Sequence, residues 1–147
     1  MDIRVQAQPF DLGAETNRFA DAQSSMGAIV TFTGIVRDLA ATPLDRMEIE
    51  HYPGMTEKAL TQIAQEAKTR WDLGDVLVIH RHGSLRPDDR IMMVATAARH
   101  RVAAFQAAEF LMDYLKSRAP FWKKEISATT ADWVAAKDAD EDALKRW

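Results

Sequence analysis

The chain has 147 residues, no cysteine, 22 acidic and 19 basic side chains, and a formal net charge of -3. That length fits one domain with a substantial core, and the missing cysteine excludes disulfides, thiolate nucleophiles and persulfide relays. The mild acidity gives no global attraction to nucleic acid or to an anionic membrane, so any anion site is local. Met1 to Ala20 lacks the charged and apolar regions of a secretory signal and no apolar run approaches a membrane span, so the cytoplasm is the expected location.

In chain order, Ile3 to Gln8 reads as a short strand and Asp11 to Gln23 as a helix with Leu12, Thr16, Phe19 and Ala20 on one side. Gly27 to Arg37 suits a long strand apolar on both faces near its centre. Gly34 within it marks a bulge or a close backbone approach, and Arg37 falls at its end. Asp38 to Asp45 has turn composition and no periodicity and is expected to be a mobile loop. Arg46 to Tyr52 alternates as a half-buried strand stopped by Pro53-Gly54. Met55 to Trp71 is an amphipathic helix with Leu60, Ile63, Ala64 and Ala67 on its apolar stripe, closed near Gly74. Val76 to His82 and Ile91 to Ala97 are strands joined through a segment whose Pro87-Asp88-Asp89 suits a type I turn. His100 to Lys116 is the main helix and Phe121 to Ser127 a last strand. The tail from Thr130 to Trp147 offers Trp133, Val134, Leu144 and Trp147 as anchors and no chemistry. This order argues for a single α+β domain over 1–147, with a mixed or largely antiparallel sheet and flanking helices.

The chemistry concentrates where the main helix meets Pro120. Gln106, Glu109, Asp113 and Lys116 recur at helical spacing as a narrow polar stripe, and proline ends the helix near Ser117 to Ala119. In the strand that follows, Phe121, Lys123 and Glu125 share one face while Trp122 and Lys124 share the other, so Lys123 can point back toward Lys116. One reading is a surface lysine paired with Asp113 beside a solvated edge strand. The other is a catalytic lysine pair, each charge lowering the other's pKa beside an apolar wall.

Arg99, His100 and Arg101 open the main helix with positive charge where the macrodipole disfavours it, and Ala97 and Ala98 offer no capping oxygen. Such a start suits a bound anion, or else acidic groups elsewhere neutralise it. With Arg37, Lys116 and Lys123 these residues give a candidate cationic pocket. His51, His80 and His82 read as core or surface histidines rather than metal ligands, no Gly-x-Ser-x-Gly elbow is present, and Gly-rich phosphate loops are missing.

Four strings in order, Phe32-Thr33-Gly34-Ile35-Val36-Arg37, Glu50-His51-Tyr52-Pro53-Gly54-Met55, His80-Arg81-His82-Gly83 followed by His100-Arg101, and Tyr114-Leu115-Lys116 with Ala119-Pro120-Phe121-Trp122-Lys123-Lys124-Glu125, resemble the signature of the molybdopterin synthase large-subunit family. The resemblance implies an α/β-hammerhead-like fold. It implies a sulfurtransferase, with no metal or cofactor of its own, that converts cyclic pyranopterin monophosphate into the molybdopterin dithiolene. Sulfur would arrive on the C-terminal Gly-Gly thiocarboxylate of a small ubiquitin-like partner, within a heterotetramer built on a homodimer. Carried over by position, Lys116 and Lys123 are the catalytic lysines, and Arg37, His100, Arg101, Lys124 and Glu125 bind substrate. Phe32 and Met112 either line the partner's tail channel or are plain core. Ile35 stands where some relatives carry lysine, and Asp88 where glycine is common. A non-enzymatic module gripping a ubiquitin-like tail, and a single-strand nucleic-acid binder using Trp122, Lys123 and Lys124, are the other readings.

Overall fold

The computed structural model describes residues 1–39, 43–128, 130–135 and 137–147. In it the chain forms two four-stranded sheets, one mixed and one antiparallel, with helices packed on them. The elements are β1 (Asp2–Gln6), α1 (Leu12–Asp21), β2 (Ala28–Ile35), β3 (Leu44–His51), α2 (Met55–Arg70) and β4 (Asp75–Arg81). They continue as β5 (Gly83–Leu85), β6 (Arg90–Ala98), α3 (Arg101–Ser117), β7 (Phe121–Ser127), β8 (Ala131–Trp133) and α4 (Asp138–Leu144).

The first sheet has the order β1-β4-β6-β2, with β1 parallel to β4 and the other pairs antiparallel. Its central strands β4 and β6 are buried on both faces, which is why they read as continuous apolar runs. Val76 and Val78 on one face of β4 join a core with Leu60, Ala64, Ala67, Phe110 and Leu111 from α2 and α3. Leu77 and Ile79 on the other face meet Phe19 of α1. The second sheet, β5-β3-β7-β8, is antiparallel and carries β7 beside the end of α3.

Several expectations need correction. β2 is not a doubly buried strand: among the described residues it pairs only with β6, and Ile29, Phe32 and Ile35 stay exposed. α2 is closed by Asp72 at φ 50, with the Leu73 amide bonded to the Lys68 carbonyl at 3.0 Å, so Asp72 and not Gly74 takes the left-handed position. Asp88 has φ 73 at the third place of the turn whose Asp89 amide reaches the Arg86 carbonyl, which makes it a type II rather than a type I turn. Asp tolerates that conformation without glycine. The segment between the first long strands still contains loop, yet Leu44 and Asp45 already belong to β3, and the Asp38 carboxylate accepts from the Leu39 and Leu44 amides. Residues 40–42 of the expected mobile loop lie outside the described residues.

β5, β8 and α4 escape the sequence reading because three-residue strands and a seven-residue helix carry too little periodicity. The tail's anchors are real in part. Trp147 packs edge-on against Trp71 and Phe110, and its indole N–H and Arg146 both reach Asp113. Among the described residues no helix is long and apolar enough to cross a membrane.

Candidate active site

The lysine corner exists because a helix and a strand from different layers end at the same place. Pro120 stops α3 after Ser117, and Phe121 then enters the second sheet against His51 of β3. Asp113, the expected partner of Lys116, is engaged by Arg146 at 2.7 Å and by Trp147. Lys116 turns instead to a pocket of about 270 Å³ that it lines together with Lys123. The other walls are the β2 bend at Phe32 to Ile35, Met92 of β6, Met112 and Leu115 of α3, and His80 of β4.

The pocket's shape has a backbone cause. The β2–β6 register slips where Gly34 faces Met92 and Ile35 faces Arg90, so Ile91 is the extra residue and the bulge lies on β6 opposite the glycine, not on β2 itself. A Cβ at Gly34 would stand 3.3 Å from Met92 Cγ, on the pocket wall. Phe32 and Met112 both line the space, while Met112 also packs against the main core.

Burial, reinforced by the Lys116 charge, pushes Lys123 down to about 8. Asp140 opposes that shift and Lys137 adds to it, so the start of α4 also faces this lysine. The combination of apolar wall and neighbouring cation is the one that activates lysine.

His80 is the residue the sequence reading passed over. It is 4% exposed and continues the β4 face of Val76 and Val78, where every other side chain is apolar. Its Nδ1–H donates to the Arg81 carbonyl at 2.8 Å, and Phe121 stacks on the ring with centroids 3.7 Å apart. Burial, with the Lys123 and Lys116 charges adding to it, pushes the imidazole down to about 3. The available signal was a polar side chain at a core position of a buried strand.

The five expected substrate anchors stand off the pocket wall. Arg37 is exposed just beyond β2. Lys124 points from the opposite face of β7, with Nζ 5.4 Å from the Trp133 ring centroid, and Glu125 pairs with Met47 in the ladder. His100 is the N-cap of α3 and makes no side-chain capping bond, and Arg101 is its first residue; both are exposed. About 22 Å of helix separates Arg101 from Lys116. Among the described residues no three of His, Asp or Glu gather closely enough to hold a metal ion.

Fold and site define a class: an α+β enzyme domain of two sheets with a pocket that presents two lysines beside a buried histidine. The family model described as MoaE protein matches residues 5–118. A protein of Cereibacter sphaeroides named molybdopterin synthase catalytic subunit is 68% identical over 147 residues, covering all of both chains. A solved structure of a molybdopterin biosynthesis MoaE protein from Burkholderia ambifaria superposes with a TM-score of 0.85 at 51% identity, covering 99% of this chain and 97% of that one. The structure of a molybdopterin synthase from Staphylococcus aureus gives a TM-score of 0.82 at 30% identity, covering 90% and 96%. The chain belongs to the MoaE family.

Proposed function

We propose that the chain is the catalytic subunit of a molybdopterin synthase. It takes sulfur from the C-terminal thiocarboxylate of a small ubiquitin-like partner and places it on cyclic pyranopterin monophosphate, twice, to give the dithiolene. In each transfer a carbon–sulfur bond forms on the substrate, an oxygen leaves that carbon, and water releases the partner's tail as a carboxylate. The observation that carries the reading is the lysine pair on one pocket wall in a chain without cysteine. The sulfur must come from elsewhere, and ammonium groups are what an incoming thiocarboxylate and a developing oxyanion require.

Lys116 acts as acid/base or electrostatic catalyst at the carbon under attack, and Lys123 stabilises developing negative charge or the thiocarboxylate. A pocket of about 270 Å³ lies at the small end for ligand sites and suits a compact substrate with a peptide tail rather than a folded domain. Arg37, His100 and Arg101 anchor phosphate and pterin, with Lys124 and Glu125 completing the binding string. The working unit is a homodimer with a small subunit at each far end, located in the cytoplasm. The exposed Ile29, Phe32 and Ile35 of β2 and Val102 and Phe105 of α3 supply an apolar surface for a second copy. A second copy also offers a route for an α3 start to approach a lysine pocket.

Turnover tests this. Purified chain, thiocarboxylated partner and cyclic pyranopterin monophosphate give dithiolene product, and Lys116→Ala lowers the rate about a hundredfold or more. Full turnover by Lys116→Ala with unchanged binding defeats the assignment. Tight partner binding without product from the wild type indicates a tail-gripping module instead.

A further inference from the structure

His80 and Lys123 approach the pocket from different sheets and meet through Phe121. The His80 Nδ1 donates to a carbonyl, which can only accept, so Nδ1 holds the ring proton and the lone pair stays on Nε2. The Phe121 ring lies nearly parallel to the imidazole, at 16°, and fixes its plane. Among the described residues nothing hydrogen-bonds Nε2, and the ring forms part of the pocket wall. Lys123 stands two positions from Phe121 and therefore on the same face of β7, about 7 Å along the strand. It has neither a carboxylate partner nor a hydrogen-bond acceptor among the described residues, although it is largely withdrawn from solvent. A half-buried ammonium needs an acceptor, and a lone pair without a donor lines the same pocket.

We propose that His80 is a positioning residue for Lys123: its Nε2 accepts a hydrogen bond relayed from Lys123 Nζ across one water and aims the remaining ammonium hydrogens into the pocket. A carboxylate in that place would cancel the positive charge. An imidazole held neutral by burial orients the ammonium and leaves its charge for an anion. The other groups acting on Lys123 are Lys116 of α3, Asp140 of α4 and Lys137 just before it, and those acting on His80 are the two lysines and His51 of β3. The effect on turnover rests on the lysine pocket being the catalytic centre, but the hydrogen bond itself can be read in the isolated chain.

The test follows the Lys123 Nζ titration by NMR in the full chain. The wild-type midpoint is expected at about 8. His80→Phe keeps an aromatic ring against Phe121 and removes the acceptor, so the ammonium is less favoured and the midpoint falls by about half a pH unit or more. His80→Gln, which can return an amide oxygen toward the place of Nε2, restores it. An unchanged midpoint in folded His80→Phe overturns the proposal. Should His80→Phe fail to fold, Lys123→Met reads the same bond from the other side. Removal of the donor shifts the His80 Nε2 resonance, whereas an unmoved resonance, or a wild-type ring protonated on Nε2, overturns it. In the reconstituted synthase His80→Phe lowers kcat about tenfold with KM little changed, and His80→Gln recovers it. Wild-type kcat in His80→Phe defeats the positioning role, while absence of product from the wild type defeats the synthase reading and leaves the titration result standing.

Discussion

Lys123 and Lys124 are neighbours in sequence that face two different environments. Lys123 shares a face with Phe121 and sits in the pocket with Lys116 and His80, pushed down to about 8 by burial and the second lysine. Lys124 shares the other face with Trp122, opposite Glu48 in the ladder, and lays its ammonium over Trp133. Strand alternation alone separates them. One residue type, placed twice in succession, yields a pocket cation with a depressed pKa and a cation that lies over the Trp133 ring of β8.

The largest expected difference is in turnover. Lys123→Ala lowers the rate of dithiolene formation about a hundredfold or more, the scale of a lost electrostatic catalyst. Lys124→Ala stays within about fivefold, because its ammonium lies on the opposite face of β7, away from the pocket wall. A steady-state assay of both variants decides the matter, and equal losses would mean that the two faces serve one substrate.

Stability should separate the two in the opposite sense. The folded pKa of Lys123, about 8, lies below its ordinary value of 10.5. The unfolded chain therefore binds more protons between those values, and stability rises with pH across that window. At pH 7 the buried charge costs up to about 3 kcal/mol. Lys123→Met accordingly stabilises the fold at neutral pH, with a gain that shrinks as pH rises toward 10.5, whereas Lys124→Met loses the contact with the Trp133 ring and destabilises. Denaturant melts at pH 7 and pH 10 measure this directly. Stability given up at a site is what a pocket kept for chemistry leads one to expect.

Much of this contrast was legible before any coordinates. Proline after a helix and period two in the strand place Lys123 toward Lys116 and Lys124 away, and Gly34 within an apolar strand marks a stretch of the pocket wall, although the bulge itself lies on β6 at Ile91. His80 was not legible as a pocket residue, because its stacking on Phe121 joins strands of two different sheets across 41 positions and no local periodicity encodes that contact. The exposed side of β2 was hidden for a related reason, since an apolar strand reads the same whether a neighbour covers it or a second chain does. The tail showed its tryptophans but not their seats: Trp147 finds Trp71 and Phe110 only once α2 and α3 lie side by side.

The smallest effect belongs to Trp133. Its ring is about half exposed, and the Lys124 ammonium lies 5.4 Å from its centroid, so Trp133→Ala costs about 0.5–1 kcal/mol of stability. The bond from the Val134 amide to the Lys123 carbonyl, 2.8 Å, does not involve the indole and keeps β7 tied to the segment after β8. Turnover and the Lys123 titration should therefore stay at wild-type values in Trp133→Ala. A turnover loss approaching that of Lys123→Ala would show that the outer face of β7 sets the geometry of the inner one, and that Lys124 acts on the chemistry through the strand both lysines share.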